Sequence, residues 1–149
     1  MMKHLPTDAL AGVVTILTVH QPLILALHAA GLVSWRAYDL RPVAPFGLPD
    51  LVSASLWGAA WTIGIARVGR GAGGRPRHLR AAVAGGALTT AVGALLVVAG
   101  RGVPLGAMSP AAAALSSLFV NGLWAGAASW MAARIRPAAD DWGGPRAVA

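Results

Sequence analysis

The chain has 149 residues, of which 56% are hydrophobic and only 11% charged, with a formal net charge of +7 and a mean hydropathy of +0.64. Ordinary soluble domains carry about 25% charged residues. A soluble domain of this size would therefore expose too much apolar surface, and the composition asks for lipid as solvent. The absence of Cys excludes disulfides, thiolate metal sites and cysteine nucleophiles. A pI near 11.8 would suggest nucleic acid in a soluble protein. Here the arginines lie between apolar segments, where they orient a membrane protein, and no nucleic-acid partner is expected.

Taken in order, Thr7 or Asp8 is placed to cap a first helix, because their oxygens accept from its orphan N–H groups. The apolar run of about residues 9–33 exceeds the roughly 20 residues that span a bilayer. A cleaved signal peptide would have an apolar core of about 7–15 residues; this run is longer and is interrupted by His20-Gln21, so it reads as a span. Ser34 to Asp50 is a connection rich in Pro and aromatics. Trp35 and Tyr38 fit an interfacial belt with their polar tips in water. Pro42, Pro45 and Pro49 exclude a helix and predict a stiff, turn-containing loop.

A second, short span covers 51–68, with Pro49-Asp50 as its start signal. The stretch GRGAGGRPRHLR that follows reads as a flexible basic turn. A third span covers 81–100, a Pro/Gly loop follows at 101–110, a fourth span covers 111–135, and 136–149 reads as a frayed tail. The prediction is one integral membrane domain over 1–149, an all-α antiparallel bundle of four transmembrane helices. The loop pairs Arg41-Pro-Val-Ala-Pro-Phe-Gly47 and Arg101-Gly-Val-Pro-Leu-Gly106 each precede a Trp-containing helix, an echo that two duplicated hairpins would explain.

Orientation follows from the basic residues. Lys3, Arg67, Arg70, Arg75, Arg77, Arg80, Arg134, Arg136 and Arg146 fall on one side, against Arg36, Arg41 and Arg101 on the other. Nine against three in short loops puts both termini in the cytoplasm. One Lys against eleven Arg, amid abundant Ala and Gly, fits a GC-rich bacterial coding sequence, so the expected location is a bacterial cytoplasmic membrane.

The candidate site is Thr18-Val19-His20-Gln21-Pro22, since an ionisable ring inside an apolar run is costly and marks a functional position by default. His20 lies about midway along the first span, Thr89 and Thr90 midway along the third, and Asn121 midway along the fourth. His20, Gln21, Thr89 and Asn121 therefore form one polar layer. Its first reading is a clasp of interhelical hydrogen bonds, worth about 0.6–2 kcal/mol each; its second is a substrate, ion or proton site. Pro22 removes a donor from the carbonyl of Thr18 and predicts a kink, which Thr18 or Gln21 would repair. Haem would need a second His at matching depth. His28 is on the same helix about 12 Å further along, and His4 and His78 lie at the cytoplasmic face. No cofactor and no metal are expected.

Trp57 and Trp61 share a face of the second helix and are too deep for the interfacial belt. They are expected to pack inside the bundle or against a partner. Gly122 and Gly126 bracket Trp124 in a GxxxG pattern, which serves close approach of either the third helix or a second copy. With no Asp, Glu or Lys inside any predicted span, and Arg67 and Arg134 only at span ends, a proton relay or carboxylate ion site lacks parts. Asp39, Asp50, His28 and Tyr38 offer only a weak outer-side grouping.

With these motifs in place, the chain resembles an uncharacterised family of small bacterial inner-membrane proteins. The similarity spans most of the chain and rests on His20-Gln21, Leu27-His28-Ala29, Pro45-Phe46-Gly47-Leu48-Pro49, Ser55-Leu56-Trp57-Gly58, Trp61, Asn121-Gly122 and Trp124. The chain departs from the family at Ala44-Pro45, where Pro-Pro is usual, at Gly58-Ala59, where a double Gly is usual, and at Ala125, where Gly is usual. The resemblance implies a four-span fold and brings no activity. Function is expected to be non-enzymatic, as an accessory or assembly component of a membrane complex, with lipid and other membrane proteins as partners, or self-association through Gly122 and Gly126. The alternative is a small transporter or channel subunit using the mid-membrane polar layer.

Overall fold

In a computed structural model the described residues are 4–44, 46–68, 74–95 and 109–141; the side chains at 137–141 are outside the description. Four helices pack into a bundle. They are α1 (Leu5–Ala29), α2 (Asp50–Val68), α3 (74–95) and α4 (Pro110–Asp141). Two of them, over Leu5–Ala29 and Pro110–Arg136, are long and apolar enough to cross a membrane.

Three helix starts differ from the sequence expectation, each for a local reason. α1 begins four residues early because Pro6 sits in the first turn, where its missing N–H costs nothing. His4 O takes up Asp8 N–H at 3.0 Å and the Thr7 hydroxyl at 2.8 Å, so neither Thr7 nor Asp8 is the cap. The basic stretch is not wholly a turn: 74–80 is helical, with Pro76 again tolerated in a first turn. α4 starts at Pro110 because Ser109 accepts from Ala112 N–H at 3.1 Å, the N-cap geometry with Pro at the first helical position. At its other end α4 continues through Pro137 to Asp141, where a frayed tail was expected; 142–149 fall outside the described residues, as do the end of the third predicted span and most of the 101–110 loop.

α1 ends earlier than expected, at Ala29. Gly31 takes φ +70°, with Leu32 N–H on Leu27 O and Gly31 N–H on His28 O, both at 2.9 Å. This is the helix-ending motif that recovers two orphan carbonyls and asks for glycine. The connection to α2 holds the one departure from an all-helical fold among the described residues. β1 (Pro42–Val43) pairs antiparallel with β2 (Leu48–Pro49), Pro42 opposite Pro49 and Val43 opposite Leu48. Gly47, at φ +65°, closes the turn with its N–H on Val43 O at 2.9 Å.

α4 is central, touching α1, α2 and α3. The core gathers Ile16 of α1, Ile65 of α2, Ala81 of α3, and Trp124, Ala125 and Ala128 of α4, with Ala54 and Trp61 packed against it. Small residues let the backbones close. A Cβ on Gly12 would stand 2.3 Å from Gly58 O, and one on Gly86 would stand 2.7 Å from Gly122 Cα.

Candidate functional site

The polar centre begins as a backbone fault in α1. Over Ile16–His20 the helix opens into a wide turn in which Gln21 N–H reaches Ile16 O, five residues back; such single wide turns gather at functional positions. The fault leaves Leu17 O without a helical donor, next to the Thr18 O whose regular donor Pro22 lacks. Gln21 N–H is already engaged with Ile16 O, and Pro22 has no N–H to give. The repair is also not the expected one. Thr18 donates to Val14 O at 2.8 Å. Leu17 O instead accepts from the Tyr38 hydroxyl at 2.8 Å, and Gln21 Oε1 accepts from Tyr38 N–H at 2.6 Å. Tyr38 thus crosses from the connection onto α1 and does not direct its polar tip to water. It does so with φ 53°, a strained region for any residue with a Cβ.

The predicted layer divides into three. Gln21 is buried and held by Tyr38. Thr89 is buried but turns its hydroxyl onto Gly85 O at 2.7 Å, within its own helix. Asn121 makes a cross-helix bond, its amide donating to Thr90 Oγ1 at 3.1 Å, and a bond within α4, to Ser117 Oγ at 3.2 Å; Ser117 donates across to Thr90 Oγ1 at 3.4 Å. His20 approaches Asn121 from α1, and its Nδ1 is buried without a hydrogen-bond partner among the described residues. Thr90 and Ser117 were not among the candidate site residues. The signal for Ser117 was its place four residues before Asn121, on the same helix face. Beside the wide turn, Thr18, Val19, Pro22 and Leu23 of α1 with Leu123 and Ala127 of α4 line an open, apolar groove.

A second polar contact was not foreseen. Asp8 is 4% exposed and its carboxylate takes Arg136 Nε at 3.0 Å and Nη2 at 2.8 Å. No carboxylate was expected inside a span; α1 starts early enough to include Asp8 in the first turn of the apolar helix Leu5–Ala29. The pair also sets the start of α1 beside the end of α4. Nearby in sequence, the His78 ring meets buried Ser129 Oγ at 3.0 Å, α3 to α4. Burial first, and Arg77 second, hold the His78 imidazole below its ordinary value.

The packing residues also divide. Trp124 is 2% exposed and Trp61 lies against the core, whereas Trp57 is 50% exposed and outside the bundle. Four residues share a face only roughly, and Gly58 takes the inward position against Ile16. Gly122 and Gly126 face α3: a Cβ on Gly126 would meet Ala82 Cβ at 3.3 Å, and one on Gly122 would meet Ala82 O at 3.4 Å. In the connection, Phe46 stands 82% exposed at the turn and Pro49 is paired in β2; Pro45 lies outside the described residues.

In the outer grouping, Asp39 and Asp50 both act on Arg41. Asp39 is gripped by Arg41, through the guanidinium (Nε to Oδ2 at 2.8 Å) and through Arg41 N–H at 2.9 Å. The side-chain bond, then the backbone bond, pull its carboxyl down to about 2 from the usual 3.8. His28 Nδ1 pairs with Val33 O at 3.1 Å, and Tyr38 belongs to α1. Among the described residues no three His, Asp or Glu are placed to hold a metal ion. Chemically, the polar centre offers hydroxyls, amides and an imidazole: hydrogen-bond donors and acceptors.

No protein-family model matches the chain, and neither does any curated protein or solved structure.

Proposed function

We propose that the chain is a four-span protein of the bacterial cytoplasmic membrane, with both termini inside, acting without catalysis as an accessory or assembly component of a membrane complex. The family resemblance belongs to the same proposal. Nine basic residues against three between the spans support the orientation, and the Asp8–Arg136 pair, which joins the two chain ends of the bundle, is consistent with it.

The observation that carries the partner reading is Trp57. Tryptophan favours the membrane boundary, where its N–H finds water. Trp57 lies seven residues into α2, about 10 Å from its start at 1.5 Å per residue, yet it faces outward beside Leu56, which is 57% exposed. A second transmembrane helix packed on that face would cover both. A photo-crosslinking residue at position 57, in protein expressed at native level, should capture a protein partner, whereas one at Leu88 on α3 should capture lipid. Lipid adducts alone at position 57, together with a monodisperse purified protein and empty pull-downs, would remove the reading.

A second reading, a small transporter or channel subunit, is favoured by His20 Nδ1, buried beside Asn121 and without a hydrogen-bond partner among the described residues. Proton and monovalent-cation flux into proteoliposomes should then fall in His20→Ala. Equal flux with only stability changed would dismiss it.

A further inference from the structure

The connection between α1 and α2 does more than join them. It is tied at both ends, by His28 Nδ1 to Val33 O at 3.1 Å on the α1 side, and by Asp50 N–H to Arg41 O at 3.0 Å and Leu51 N–H to Asp39 O at 2.9 Å on the α2 side. Between those ties, Tyr38 is the one residue among those described that hydrogen-bonds across to the wide turn. Its two bonds go to atoms that the turn itself makes available. Leu17 O lacks a helical donor because Gln21 N–H is shifted onto Ile16 O and Pro22 has none. Gln21 Oε1 is a buried amide oxygen next in sequence to His20.

A residue with a Cβ persists in the left-handed region only where its surroundings hold it. Tyr38, at φ 53° and 43% exposed, is held there by these two bonds. Gly31 and Gly47, both at positive φ, bracket the segment at positions that turn without strain.

We propose that this connection is a latch: Tyr38 closes it over the wide turn of α1, and its release opens a loop-side approach to the face carrying Gln21 and His20. The closed state gives Leu17 O and Gln21 Oε1 a donor each. The open state gives up both bonds and relieves the strain at Tyr38, so the two states are set against each other by small terms of opposite sign. The latch depends on neither functional reading above.

The chain has no Cys, so a single introduced thiol reports alone. Ile24, one turn beyond Gln21 on the same face, is 8% exposed. The probe is the rate at which a charged, water-soluble maleimide labels Ile24→Cys in the full chain reconstituted in liposomes. Losing one latch bond should raise the open fraction about tenfold, and the labelling rate with it. This is expected for Tyr38→Phe, which removes only the hydroxyl, and for Gln21→Leu, which removes only the side-chain acceptor. Ala113→Cys, buried in α4, should label at an unchanged rate in both backgrounds. Rates at Ile24→Cys within twofold of the parent in both variants, or an equal rise at Ala113→Cys, would overturn the latch.

Discussion

The two hairpins of the bundle are closed by different means. Between α1 and α2 the seam is one of shape: Gly12 lies against Gly58, and the hydroxyls of Thr15 and Thr62 turn back to Ala11 O and Gly58 O at 2.7 and 2.8 Å. Between α3 and α4 there is the same close approach at Gly86 and Gly122, but side chains also cross, Asn121 to Thr90 and His78 to Ser129. A seam of shape tolerates no added volume and does not by itself choose between neighbouring registers with similar profiles. A bonded seam fixes the register, since donors and acceptors meet in one alignment. The first hairpin obtains that second kind of constraint from outside the seam, through Tyr38.

The largest effect should come from filling the seam of shape. In Gly12→Val the new Cβ would meet backbone, Gly58 O at 2.3 Å and Gly58 C at 2.7 Å, which cannot rotate away. A loss of about 3 kcal/mol or more is expected, visible as a large drop in thermal midpoint in detergent. Gly64→Ala makes the contrast, since a Cβ there meets nothing within 4 Å. It should be neutral or stabilise by up to about 1 kcal/mol from helix propensity. If the two variants behaved alike, the close approach at Gly12 would be wrong.

That contrast also marks what the sequence could reveal. Periodicity and hydropathy located the helical segments, because these depend on residues close in the chain. They placed the first and third helix starts late, since Pro6 and Pro76 each sit in a first turn, where proline is tolerated. The Asp8–Arg136 pair spans 128 residues, and no local pattern pairs those two out of all the charges present. The wide turn was half legible. Pro22 announced a lost donor, but which carbonyl is orphaned depends on backbone register, and its rescuer is a tyrosine 21 residues away. For Trp57 the sequence left bundle and partner open, because helical spacing gives a shared face without saying which neighbour lies inward; Gly58 took the inward place.

An intermediate effect is expected where the bonded seam is cut. Asn121→Leu removes two donors but fills the volume, and should cost about 1 kcal/mol, within the range of polar contacts between helices in lipid. Thr90→Val in the same background should add less than it does alone, because both changes delete one shared bond. Strict additivity of the two, measured as thermal midpoints, would mean that the layer is a set of separate residues and no clasp.

The smallest effect concerns acid. Burial, then Arg77, hold the His78 imidazole below its ordinary value of 6.5, so the folded chain binds that proton less readily than the unfolded chain. Stability from the neutral ring is therefore complete above about pH 6.5 and is lost as pH falls through that value toward the lowered one. The midpoint should fall between about pH 7.5 and 5.5, and His78→Gln should lessen the fall. Ser129→Ala should lower stability at both pH values while leaving the slope, because the causes of the shift are burial and Arg77. An unchanged slope in His78→Gln would show that this end of the bonded seam is indifferent to protonation. The seam's register would then rest on Asn121 alone.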